Sequence, residues 1–271
     1  MRWMFFLLMG CGKPGGGMMG SQGTDTATPQ SGLGLVAIDG GSFTLGETDP
    51  DSYADHLQPG EVRQVILSND FDLDDFLIAQ FPFPGVEGAQ WFTDGARHST
   101  IEALDAKLEE FGRRACTISE LLYAAAGPTN KRYPYGNTFQ AGLCDPDDEN
   151  PEPIGTFTDC ESDLGIRDFQ VRAAWGYLDP QILAVLNSEG DHQPIDEDLD
   201  YGVWGATSRR DTIQAPTNFG FHTHGDDPTR YLDDGFRVCA DQIPTQNEDL
   251  AYERWRQRAI DAGSYVELLT E

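Results

Sequence analysis

His222-Thr223-His224 places two imidazoles on one side of the chain if the segment is extended, because strand side chains alternate with a period of two. With Asp226 or Asp227 this pair is a candidate metal site, although the spacing fixes no third ligand and loop histidines are the plainer reading. Arg209-Arg210 has the donor geometry to grip a carboxylate or sulfate in a bidentate fork, or to answer neighbouring aspartates. The run DPDDEN at 145–150 offers calcium-type oxygens but lacks the glycine and distal glutamate of an EF-hand, so it reads as a solvated acidic loop. Ser42, Ser119 and Ser208 have no Gly-x-Ser-x-Gly context, which leaves hydrolase chemistry unsupported.

Five cysteines occur, and none is in a Cys-x-x-Cys spacing, so a thiolate zinc site or a thioredoxin-like pair is not indicated. Apart from Cys11, the even set Cys116, Cys144, Cys160 and Cys239 suggests disulfides in an exported chain. Cys144 and Cys160 flank an acidic, proline-rich loop whose closure is worth about 3 kcal/mol on chain entropy, which favours that pair. Cys116 and Cys239 are left to pair or to stay reduced.

The charge balance limits the partners. Lys and Arg number 18 against 46 Asp and Glu, a net charge of -28 that repels nucleic-acid backbones, so nucleic acid is excluded as a partner. Aromatic content of 11% and apolar content of 39% are globular values, so the acidity does not imply disorder. At 271 residues the chain can bury one good core.

The first residues, MRWMFFLLMGCG, carry one positive charge and a short apolar run that is too brief to cross a bilayer as a helix and reads as a signal peptide. Leu8-Met9-Gly10-Cys11 resembles a bacterial lipobox, which implies acylation of Cys11 and a lipid anchor in the cell envelope; Lys13 in place of an acidic residue points to the outer membrane. Residues 11–34 are rich in Gly, Ser, Thr and Pro and read as a flexible tether.

Short elements then follow one another. LVAIDGGSFTL at 35–45 is two apolar runs split by Asp39-Gly40-Gly41, a hairpin signal. Ser99 and Glu102 form a capping box before Ile101, Leu104, Leu108 and Phe111 at helical spacing. Thr117 and Glu120 form another, predicting a helix from Ile118 that Gly127 and Pro128 end. Residues 247–262 are a last helical pattern, and SEGDHQPIDEDLD reads as an acidic surface insertion. Helices among many short strands, without βα alternation, predict an α+β fold in a single domain over 35–240, with 241–271 as a C-terminal helical extension and 1–10 as the signal peptide.

The order of several segments is similar to formylglycine-generating-enzyme-like (sulfatase-modifying factor) domains. VAIDGGSFTLGETD resembles their opening strand and turn, RRACTISELLYAAAG their Thr-Glu-Ala-Glu-Trp helix, YPYGNTF their Tyr-Pro-Trp-Gly turn, PIGTF their Pro-Val-Gly strand, DLGIRDF their Gly-Leu-Tyr-Asp element and DDGFRVC their closing Gly-Phe-Arg strand. The resemblance implies an irregular, loop-rich fold of C-type lectin type with its first and last strands close together. It also implies where the chemistry should sit: the family's oxidases hold copper through two cysteines five apart, beyond a Gly-Gly-Ser segment. Here Trp204-Gly205-Ala206 stands in the Gly-Gly-Ser place, and Arg209 and Gln214 stand where the thiols would fall, neither of which is a soft copper ligand. With Trp175 aligned, Ala173 replaces the asparagine of a calcium site, so calcium, the other cofactor the resemblance implies, loses a ligand there. Asp168 keeps the place of a family aspartate and reads as structural.

The expectation is therefore a membrane-tethered lipoprotein with no catalytic residue assigned, acting as a binding or structural module toward an unidentified protein or small-molecule ligand. One alternative is an iron or copper oxidase using other ligands such as His222 and His224. The other is a ligand-display protein whose surface includes Trp204, Arg209, Arg210, Phe219 and Phe221.

Overall fold

The computed structural model describes residues 34–46, 64–65, 69–90, 98–138, 140, 142–144, 152–169, 174–177, 179–188, 201–204, 219–221, 236–265 and 268–269. The chain is a mixture of helices and small antiparallel sheets. β1 (Leu35–Ile38), β2 (Gly41–Leu45), β3 (Gln64–Val65), β4 (Asn69–Leu73) and β5 (Phe76–Ala79) come first. α1 (His98–Glu109), β6 (Arg114–Ala115) and α2 (Ile118–Ala126) follow, then β7 (Ala174–Tyr177), α3 (Pro180–Ser188), β8 (Tyr201–Trp204), β9 (Phe219–Phe221), β10 (Val238–Ala240) and α4 (Gln246–Ala262).

The predicted hairpin does not form. β1 pairs with β5 and β2 with β4, all antiparallel, and the two halves share one unbroken register, so that Asp39 and Gly40 stand opposite Asp75 and Asp74. Segments 35–45 and 69–79 therefore run as one antiparallel ribbon whose ladder is interrupted at 39–40 and 74–75. Close backbone approach at the interruption requires the glycine: a Cβ on Gly40 would press into the Leu73 carbonyl oxygen and lie 2.6 Å from the Asp75 nitrogen. Gly40 N–H donates to Asp75 Oδ1 at 2.7 Å, which ties the two segments together at the interruption. Local turn chemistry suggested a reversal, whereas burial of Leu35, Val36 and Ile38 against distant strands directs a crossing instead.

β1, β5, β10 and β6 make a four-stranded sheet in that order, which puts β1 and β10, the first and last strands among the described residues, on either side of β5. One apolar cluster gathers Val36, Ile38, Phe71 and Ile78 around α2, all nine of whose residues are buried. The other gathers Leu35, Phe83, Leu108, Phe111 and Phe236 around Tyr252, Trp255 and Ala259 of α4. The C-terminal helix thus contributes its apolar stripe to the packing beneath the four-stranded sheet.

The helix ends follow their letters closely. Thr117 accepts from the Glu120 N–H at 3.2 Å, and Glu120 accepts from the Thr117 N–H at 2.7 Å, completing the predicted capping box. Gly127, at φ 67, ends α2 by donating to the Tyr123 carbonyl. α1 begins at His98, so Ser99 lies inside its first turn and not at its cap, a correction to the sequence reading. α4 carries a capping box of its own, Thr245 with Glu248, and ends at Gly263 in the left-handed conformation. α3 was not foreseen; it occupies residues immediately before the acidic run, with Pro180 at its first position, where a missing N–H costs nothing.

Candidate functional site

α2 sits where several of the sequence candidates converge. Cys116, just before its cap, is joined to Cys239 of β10, and Cys144 is joined to Cys160. The favoured pair is present, and the open question about Cys116 and Cys239 resolves as a second disulfide. All four cysteines are buried. Beside the first bridge, Arg114 donates from two nitrogens to the two oxygens of Glu120, at 2.9 and 2.6 Å, and from Nε to Asp241 at 2.8 Å. Burial pulls the Arg114 guanidinium down, but the hydrogen bonds and charge of Glu120 and then Asp241 outweigh it and hold the group above its ordinary value.

Ligand atoms of Cys116, Glu120 and Cys239 lie within 4.8 Å of one another, the spacing of a metal centre. The chemistry does not fit. Both sulfurs are consumed in a disulfide, and the carboxylate already accepts from Arg114 and the Thr117 N–H. This corner is a rigid support instead of a metal centre.

β7 and β8 rest on that support. They pair antiparallel, with Ala174 opposite Trp204. Gly176 approaches so closely that a Cβ there would lie 2.7 Å from the Cys116 carbonyl oxygen and 3.1 Å from Leu121. β8 also runs beside β9, so the backbones of Trp204, Phe219 and Phe221, three of the candidate ligand-binding residues, are on neighbouring strands. Their side chains are not described. Cys11, Arg209, Arg210, Gln214, His222, His224, Ala173 and the 145–150 run lie outside the described residues.

Asp179 organises the far end of this support, and sequence reading missed it. Its Oδ1 accepts from the Gln181 and Ile182 amides at 3.2 and 3.1 Å, which caps α3. Its Oδ2 accepts from the Ser119 N–H at 3.2 Å and from the Ser119 hydroxyl, which adds a second cap to α2. Asp-Pro ahead of an apolar run is an N-terminal signature that the letters contain. Ser119, considered as a nucleophile, is thus a tie between helices.

Asp168 and Arg237 form a second buried polar centre. Arg237 is fully buried and donates to four carbonyl oxygens: Ala79 at 2.9 Å, Gln80 at 2.8 Å, Arg167 at 2.6 Å and Asp168 at 3.2 Å. Its plane also lies over the Phe169 ring at 4.7 Å. Burial pulls the guanidinium down to about 9, with the Asp168 charge opposing it, so the group is cationic at neutral pH. Asp168, at φ 54, accepts from the Gly155 N–H; burial raises its carboxyl, while that N–H, Arg237 and Arg167 pull the other way. The structural reading of Asp168 is consistent with these bonds, which close the 155–168 loop onto the sheet.

No protein-family model matches the chain, and no curated protein matches it. Among solved structures it is similar to PvdO from Pseudomonas aeruginosa, at 16% identity and a TM-score of 0.49, over 76% of this chain and 93% of that one.

Proposed function

We propose that this chain is a binding or structural module built on a formylglycine-generating-enzyme-like scaffold of C-type lectin type, carried as a lipid-anchored protein of the bacterial cell envelope, and that it does not perform the thiol-dependent oxidation of that family. One observation carries the reading: of five cysteines, four are locked in two buried disulfides, and the fifth, Cys11, belongs to the N-terminal segment. A copper centre of the family's kind requires a free thiolate pair, and Arg209 and Gln214 supply none at the corresponding positions. The adjacency of β8 and β9 supports a ligand surface that includes Trp204, Phe219 and Phe221.

The test has three arms on the full chain. Thiol titration of the denatured, unreduced protein is expected to find no reactive thiol beyond Cys11. Incubation with copper, oxygen and a cysteine peptide is expected to leave no aldehyde for hydrazide capture, and aldehyde formation would overturn the proposal. Cys11→Ser is expected to release the protein from the membrane fraction; a variant that stays membrane-bound would overturn the lipid-anchor part alone.

A further inference from the structure

The outer edge of β4 is closed at Asp72 by a side chain. In an antiparallel pair, every second residue turns its N–H and C=O away from the partner strand, and such an open edge is a template for pairing with another chain. β2 covers one edge of β4, and on the other edge the outward groups belong to Asp70 and Asp72. The Asp72 N–H donates to Gln181 Oε1 at 2.7 Å, and the Asp72 carbonyl accepts from Gln181 Nε2, also at 2.7 Å. One carboxamide therefore reproduces both hydrogen bonds that a residue of a third strand would make. The Asp70 N–H donates to the side chain of the preceding residue, Asn69 Oδ1, at 2.9 Å.

Gln181 is well held for this task. It lies in the first turn of α3, whose start is pinned to α2 through Asp179 and Ser119. The outward face of the ribbon adds a second obstacle: Asp70 and Asp72 are exposed, bonded across the strands to Thr44 and Ser42, and an antiparallel approach by the same strand of another molecule would oppose carboxylates to carboxylates.

We propose that Gln181 is a self-blocking contact, its carboxamide standing in for a third strand so that β4 cannot pair edge to edge with the β4 of a second copy of this chain. The second copy is the occupant that fits, since an antiparallel strand edge is complementary to itself under a two-fold axis. The carboxylates make the open edge salt-dependent, because added salt screens their repulsion.

The experiment compares the wild-type chain with Gln181→Met, which keeps the volume of the side chain and removes both bonding groups, and with Gln181→Ala. Hydrogen exchange at the Asp72 amide is expected to quicken by roughly tenfold in both variants. Sedimentation at about 0.05 and about 0.5 M NaCl is expected to show the variants associating at the higher salt, at concentrations where the wild type keeps its mass. Folded variants with unchanged Asp72 exchange, or with the sedimentation of the wild type at both salts, would overturn the proposal. So would loss of the native circular dichroism in both variants, since Gln181 would then hold the fold and not close an edge.

Discussion

Asp179 and Ser119 are joined through two hydrogen bonds to one oxygen, Asp179 Oδ2, while the other oxygen of the same carboxylate caps α3. A single side chain thereby satisfies amides at the starts of two helices and ties one start to the other. Removing a cap costs about 1 kcal/mol per helix, and the stranded Ser119 hydroxyl adds to this. Asp179→Ala is therefore expected to lower unfolding stability by about 2–3 kcal/mol, and Asp179→Asn, which keeps one acceptor, by about half as much. Denaturant unfolding of both variants checks the order.

The two disulfides differ in what they restrain. Cys116–Cys239 closes 123 residues of sequence and Cys144–Cys160 closes 16. On the chain-entropy account these are worth about 5 and about 3 kcal/mol. The double variant Cys116→Ser/Cys239→Ser is expected to lose more stability than Cys144→Ser/Cys160→Ser, an order that also follows from the first pair's place between β6 and β10. Equal losses by denaturant unfolding would contradict it.

Gly40 is fixed by close approach of backbone to backbone. Its φ is not in the left-handed region, so the strain of a side chain there comes from contact alone: Leu73 O, Asp74 C and Asp75 N would all lie under 3.0 Å from the methyl carbon of an alanine at this position. None of these atoms can swing aside as a side-chain tip would. Gly40→Ala is expected to cost about 2–3 kcal/mol, the range of overpacking at a rigid position. A change under about 0.5 kcal/mol in thermal or denaturant unfolding would show that the ribbon can open at Gly40.

What the letters revealed and concealed divides along the range of the interaction. α2 was readable because its signals are local: Thr117 and Glu120 are three residues apart, and Gly127 stands at its end. α4 was readable by period, and its Thr245–Glu248 box is an equally local signal. Asp39-Gly40-Gly41 misled because a glycine also serves close approach of backbone to backbone, and the partner segment at 69–79 is far along the chain. Pairing of Cys116 with Cys239 and the four carbonyls around Arg237 depend on strands brought together from both ends of the domain, which no spacing reveals. Of the site residues, Trp204, Phe219 and Phe221 are placed on adjoining strands, while Arg209, Arg210, His222 and His224 lie outside the described residues.

Asp168 makes stability depend on pH in a direction opposite to that of most carboxylates. Burial raises its folded value above the ordinary 3.8, so the folded chain holds this proton more tightly than the unfolded one does. Its contribution is fully present below 3.8, is lost as the pH rises through the raised folded value, and changes no further above it. Asp168→Asn removes the titration while keeping an oxygen for the Gly155 N–H, and asparagine tolerates the φ of 54. The attraction of the ionised carboxylate to Arg237 is already contained in that folded value, so it adds no separate pH dependence to the comparison. The difference between variant and wild type should therefore shift in favour of the variant as pH rises from 3.8 through the raised value, and then stay level. Unfolding curves collected across that range test this, and parallel pH profiles for the two proteins would mean that the Asp168 carboxyl titrates as it does in the unfolded chain.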